Sequence, residues 1–238
     1  MTSLHALLEN LIDYAGLYPP ASLPLPEVIQ NYERYLVSPD AWILNRLVLP
    51  IAKLHEVQLG PNWRVTLLTD QDPGPLPPQI ETLETKNERR LSLPTYCEAP
   101  LDRISDAFAK IRTGGITSNA IPSAPDLADF LHQAAARRLP FKATAGLHHP
   151  IRAGMHGFIN VFVAAAFAWH GMDRESLILV VEESQASAFE FGETHLRWRG
   201  LQLSVDQLRT ARRDFAHSFG SCSFEEPLDD LRKLGWLK

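Results

Sequence analysis

Cysteine is almost absent from this chain of 238 residues, which has Cys97 and Cys222 and no others. Two thiols cannot staple a disulfide scaffold, and neither has a base beside it in sequence, so both read as small buried hydrophobes rather than nucleophiles. Basic clusters are missing as well, and 23 Lys and Arg against 28 Asp and Glu leave a formal charge of -5. That balance provides no electrostatic footprint for nucleic acid and points to a small or neutral partner. The opening segment MTSLHALLENL has neither the basic nor the apolar region of a secretory signal, from which we expect a cytoplasmic location. Nor is any hydrophobic run long enough to span a bilayer. The nearest, MHGFINVFVAAAFAWHG at 155–171, is short and carries His156, Asn160 and His170. It predicts a helix buried on nearly every face and ended by Gly171. With no linker and no internal repeat, residues 1–238 read as one domain.

Short apolar runs alternating with helical patterns fill the chain. The strand candidates are LIDYAGL (11–17), AWILNRLVLP (41–50), WRVTLLTD (63–70), IETLETK (80–86), LPTYCEA (93–99), FAKIRTG (108–114), PFKATAG (140–146) and FAHSFGS (215–221). Eight such units predict a (β/α)8 barrel of the TIM type, with FEFGETHLRWRG (189–200) as an inserted hairpin near the C-terminus. Helices are expected over 26–36, 126–138 and 204–215, the second opened by Ser123 and Asp126 as a capping-box-like pair. DQDPGPLPPQ leaves little room for a helix between the third and fifth strands, so an open parallel α/β sheet is the alternative.

Two of these strands carry charge inside an apolar run. In FKATAG, period-two alternation puts Phe141, Ala143 and Ala145 on one face and Lys142 and Thr144 on the other. In FAKIRTGG, Ala109 and Ile111 oppose Lys110 and Arg112. In a closed barrel the outer face packs on helices, so these polar side chains point into the mouth. Three cations on neighbouring strands would favour a neutral amine, the state in which lysine attacks a carbonyl to form a Schiff base. The bland alternative is lysines that merely pair with carboxylates.

Lys110-Ile111-Arg112-Thr113-Gly114, then Lys142-Ala143-Thr144-Ala145-Gly146, then Gly220-Ser221 resemble the order of motifs in class I deoxyribose-phosphate aldolases, which are (β/α)8 barrels. The resemblance covers short motifs in the C-terminal half. It implies Lys110 as the Schiff-base nucleophile, Lys142 as the lysine that depresses its pKa, and Gly220 and Ser221 as a phosphate turn. Arg112 stands where that family has a small residue, Ala145 breaks its glycine pair, and His148 and His149 replace an isoleucine-arginine step, so substrate identity does not carry over. Glu225 and Glu226 follow the late turn, where Ser223 and Glu226 form a capping box, and two carboxylates would repel a phosphate. Over nearly the whole chain, DYAGLYPP, KATAGLHHP and SFGSCSFEEP look like a family of uncharacterised bacterial proteins of about this length, a likeness that brings no activity with it.

These features together predict an aldolase-like lyase acting on a small carbonyl compound, with no cofactor, and leave a homo-oligomer open. The catalytic candidates are Lys110, Lys142, Arg112, Glu98 and Asp13, and the substrate-binding candidates are Tyr14, Thr144, His148, His149, Gly220 and Ser221. A divalent-metal-assisted lyase or hydrolase is the second expectation. There His148 or His149 would bind the ion with Glu98, Glu84 or Asp13, and Lys142 would stabilise an enolate or oxyanion. A non-catalytic small-molecule-binding barrel is the third.

Overall fold

Each of the eight apolar runs forms a strand in the computed structural model, which describes residues 1–88, 91–115 and 120–238. The strands are β1 (Ile12–Tyr14), β2 (Leu44–Pro50), β3 (Val65–Leu68), β4 (Ile80–Thr85), β5 (Thr95–Cys97), β6 (Phe108–Arg112), β7 (Phe141–Thr144) and, after three strands outside the barrel, β11 (Ala216–Ser221). They pair in the order β1-β11-β7-β6-β5-β4-β3-β2 and close into an all-parallel barrel. Closure is made at β1, where Ile12 is in register with Phe219 on one side and Leu44 on the other. The open-sheet alternative is excluded, and the fold is a TIM-type α/β barrel.

The helices are unevenly placed around it: α1 (Ser3–Leu8), α2 (Leu25–Leu36), α3 (Ala124–Ala136), α4 (Phe158–Trp169), α5 (Arg174–Glu182), α6 (Val205–Asp214) and α7 (Glu225–Lys233). No α-helix joins β2 to β3, β3 to β4, β4 to β5 or β5 to β6 among the described residues; DQDPGPLPPQ leaves no room for one between the third and fifth strands, and short 3-10 turns, Ile51–Glu56 and Leu101–Arg103, follow β2 and β5. The proline-rich connection 71–79 and short loops do that work instead. No described helix is long and apolar enough to cross a membrane.

The helix α4 is apolar on all faces because it is a middle layer. Phe158 and Phe162 stack on Phe219 and Phe141 of the barrel, while α3 and α5 cover its far side. Asn160, the polar residue in its first turn, donates to the Val180 and Glu183 carbonyls at 2.9 and 2.8 Å and accepts from the Arg152 N–H at 3.0 Å. It thus adds a second donor to the Val180 carbonyl, which the Glu183 N–H reaches only at 3.4 Å, and supplies one to the carbonyl of the C-cap Glu183. The inserted hairpin proves to be three antiparallel strands, β8 (Phe189–Phe191), β9 (His195–Trp198) and β10 (Leu201–Ser204), the last running directly into α6.

The ends of β6 and β7 touch backbone to backbone. Gly146 adopts φ +79°, and a Cβ there would lie 2.6 Å from the Thr113 carbonyl oxygen. The Thr113 hydroxyl donates to the Ala145 carbonyl at 2.5 Å across the same junction. Gly114 and Gly146 therefore serve close strand approach. Gly146→Ala is expected to destabilise the protein by about 2–4 kcal/mol, from left-handed strain plus overpacking, as read by urea unfolding. A loss under about 0.5 kcal/mol would show that the junction yields freely.

Candidate functional site

A barrel of this type ordinarily fills its interior with branched apolar side chains. Here the interior carries Asp13, Asn45, Thr66, Thr82, Glu84, Lys110, Lys142 and Ser218, all buried. Strand alternation puts them there: Asp13 lies between outward Ile12 and Tyr14, and Glu84 between outward Leu83 and Thr85.

Lys142 is the centre of the network. Its Nζ donates to Asp13 Oδ2 and to Glu84 Oε1, each at 2.5 Å. Asp13 also accepts from Asn45 Nδ2 at 2.7 Å, from the Arg46 N–H at 3.2 Å and from the Ser218 hydroxyl at 2.7 Å. Glu84 bridges onward: its Oε2 accepts from Lys110 Nζ at 3.1 Å, and Lys110 in turn lies 3.1 Å from Glu98 Oε2. Arg112, half exposed at the rim, closes the chain with a bidentate pair to Glu98 at 2.9 and 3.3 Å. Lys110 and Lys142 are register partners on β6 and β7, so Glu84 gives one oxygen to each of two adjacent lysines. Three carboxylates and three cations alternate in one line.

This pairing decides the charge state. For Asp13, burial raises the pKa, but Lys142, Arg46 and the Lys142 and Ser218 hydrogen bonds lower it to a net value below a free aspartate. Glu84 and Glu98 behave alike, burial opposed by Lys142 and Lys110 in the first and by Arg112 and Lys110 in the second. Burial lowers the Lys142 pKa, yet Asp13 and Glu84 more than offset it, and the ammonium is held above its ordinary value. The expectation that clustered cations would make Lys142 a neutral amine is therefore corrected. Carboxylates from β1 and β4 both contact Lys142, and an opposite charge in contact outweighs a like charge further off.

Beneath this layer Tyr96 Oη lies 2.7 Å from His217 Nδ1, and His217 Nε2 lies 3.1 Å from the Arg213 carbonyl. The tautomer that satisfies both is neutral, donating from Nε2 and accepting at Nδ1. Burial first, and Arg212 next, hold the His217 pKa down at about 4.

The substrate-binding candidates are divided by the fold. Thr144 and Gly220 pair across β7 and β11, with the Thr144 hydroxyl facing Gly220, and Ser221 follows at the same strand end. Tyr14 is corrected: it points outward, its hydroxyl accepting from Asn31 Nδ2 at 3.3 Å and its ring edge-on to Tyr35. His148 and His149 turn to α7, where they pair with Glu226 at 3.3 Å and Asp230 at 2.6 Å. They do not join Asp13, Glu84 or Glu98, and no three metal-ligating groups cluster among the described residues. At the start of α7, Ser223 accepts from the Glu226 N–H at 3.1 Å, and Glu225 pairs with Arg34. Cys97 and Cys222 are buried, and burial pushes both thiols up.

Sequence reasoning considered Glu84 only as a metal ligand, and did not select Asn45 or Ser218. The alternation of IETLET carries the signal for Glu84, since Thr82 and Glu84 share a face. Tyr18, in the loop after β1, was also passed over. Its hydroxyl is buried without a hydrogen-bond partner among the described residues, an arrangement that costs about 1–3 kcal/mol. A surface cleft of about 460 Å³ opens elsewhere, between the ends of α3 and α4, where Arg138 lies 4.0 Å over the Trp169 ring. It holds no carboxylate and no paired lysines, so the barrel mouth is the better place for chemistry. Compared with family models, curated proteins and solved structures, the chain matches none.

Proposed function

We propose that this protein is an aldolase-like lyase acting on a small carbonyl compound, with Lys110 as the Schiff-base nucleophile. The observation that carries this reading is the arrangement of Lys110: an amine at the mouth of the barrel, 9% exposed, with two carboxylates 3.1 Å from its Nζ and a fixed ammonium on the next strand. The class I aldolase resemblance of the K-x-x-T-G strand supports the same lysine.

An amine attacks only after losing its proton, and Glu84 or Glu98 is within reach to take it. The free pair then adds to the substrate carbonyl, and the carbinolamine loses water, its hydroxyl leaving with a proton from the carboxyl group. The resulting iminium accepts the electron pair of the Cα–Cβ bond as that bond breaks, while the β-hydroxyl proton passes to a carboxylate and the first carbonyl product departs. Protonation of the enamine carbon and addition of one water release the second product and restore Lys110. Lys142 does not attack. Held as an ammonium by Asp13 and Glu84, it supplies a fixed positive charge beside the reacting atoms.

Borohydride reduction in the presence of small aldehydes, keto acids and sugar phosphates tests this, with peptide mass spectrometry to locate the adduct. We expect label on Lys110, none in Lys110→Met, and a loss of turnover of at least about 1000-fold in that variant. Turnover that depends on Lys142 without any trapped lysine would replace the Schiff base by electrostatic stabilisation of an enolate. No label and no turnover would leave a non-catalytic binding barrel.

A further inference from the structure

The loop between β1 and α2 brings one more group to the mouth. The Tyr18 N–H donates to the Ala15 carbonyl at 2.9 Å, and its own carbonyl accepts from the Ser22 N–H at 3.0 Å, so its backbone is anchored at both sides. Asp13, five residues earlier on β1, belongs to the charged network, which puts this loop at the C-terminal end of the barrel, where such folds build their sites. The Tyr18 hydroxyl is shut off from solvent and has no partner among the described residues. Burial first, and the charge of Glu84 second, push its pKa up, so the phenol is neutral and acts as a donor. Both oxygens of Glu84 are engaged already, Oε1 by Lys142 and Oε2 by Lys110. The hydroxyl is thus a buried donor that no acceptor among the described residues uses, and it is free to serve a bound molecule.

We propose that Tyr18 donates its hydrogen bond to an oxygen of the substrate bound over Lys110, and that this substrate is a small uncharged hydroxycarbonyl compound. The second half follows from charge. Asp13, Glu84 and Glu98 balance Lys110, Arg112 and Lys142 one for one, so this network keeps no spare cation of its own for an anionic group, and Glu225 and Glu226 hold the first turn of α7. The inference rests on the reading of Lys110 as the reacting amine, and its test separates the two.

Glycolaldehyde and dihydroxyacetone, with their phosphorylated counterparts, are the probes. Their affinity is measured by ligand-observed NMR and their covalent capture by borohydride, in wild type, Tyr18→Phe, Lys110→Met and the double variant. We expect an uncharged probe to bind wild type about 3- to 12-fold more tightly than Tyr18→Phe, the value of one hydrogen bond, with the same ratio between Lys110→Met and the double variant. Thermal unfolding of Tyr18→Phe is expected no lower than wild type, because the change removes an unpartnered hydroxyl; a lower value would assign the hydroxyl a structural partner and overturn the proposal. Binding with that ratio but without capture supports Tyr18 and removes the Schiff base. Capture with equal affinities in wild type and Tyr18→Phe keeps Lys110 and overturns Tyr18. Phosphorylated probes binding more tightly than uncharged ones, or no probe binding wild type at all, also overturn it.

Discussion

Lys142→Met is expected to destabilise the protein by about 3–5 kcal/mol, the cost of removing one side of a buried ion pair. Methionine fills nearly the same volume, so little of the loss comes from a cavity. What remains is Asp13 and Glu84 as fully buried carboxylates without the ammonium that both contact at 2.5 Å. For a domain of this size that loss lowers the melting temperature by about 10 °C. Lys110→Met should cost less, about 2 kcal/mol, because the buried Glu84 keeps Lys142, and Glu98, partly exposed at the rim, keeps Arg112. Adding Glu84→Gln to Lys142→Met is expected to recover part of the loss, since one uncompensated charge then disappears. Urea unfolding of the four proteins measures the series. A Lys142→Met protein within about 1 kcal/mol of wild type would mean that water or a shifted arginine takes over the carboxylates, and that the network is not the rigid centre described above.

Acid is the second large lever. The unfolded chain takes a proton at His217 near pH 6.5, whereas the folded protein does so only near pH 4. Through that window the unfolded state binds more protons, so stability falls as pH falls, by about 3 kcal/mol over the 2.5 units. The structural cause is that a charged His217 would have to donate at Nδ1, where it now accepts from Tyr96, and would do so buried beside Arg212. Asp13, Glu84 and Glu98 extend the loss to lower pH. Their folded values are depressed, so their contribution is full above the unfolded carboxylate range and disappears as pH drops through the folded values. Lys142 acts at the other end: its contribution is complete below its unfolded pKa and is lost as pH rises through the raised folded value. His217→Gln keeps a donor and an acceptor but cannot titrate. Denaturant unfolding at intervals from pH 4 to 8 should show a slope in wild type that this variant flattens between pH 6.5 and 4. A wild-type profile that is level from pH 4.5 to 7 would show that His217 takes up its proton in the fold as readily as in the unfolded chain, and would overturn the neutral form assigned to it at mildly acid pH.

The strands were legible because each is a local matter. A run such as FKATAG buries alternate side chains whatever lies elsewhere in the chain, and so all eight barrel strands, the inward faces of Lys110 and Lys142, and the buried helix at 155–171 follow from period and composition alone. The capping pair Ser123 and Asp126 is local in the same way, and both its hydrogen bonds form. Closure of the barrel is not local. It places Asp13 beside Lys142 across 129 residues of chain and Glu84 across 58, and no spacing in the sequence announces either neighbour. Alternation assigns Asp13 inward and Tyr14 outward, yet both carry chemistry that suits a site, one as a catalytic and the other as a substrate-binding candidate; only the barrel's hydrogen bonds separate them. The sequence by itself determined which residues line the interior, since side-chain direction depends on the strand alone. The tertiary structure decided what those residues are, an ammonium rather than an amine at Lys142 and a bridging carboxylate at Glu84, because protonation follows the charges nearest in space and those come from other strands.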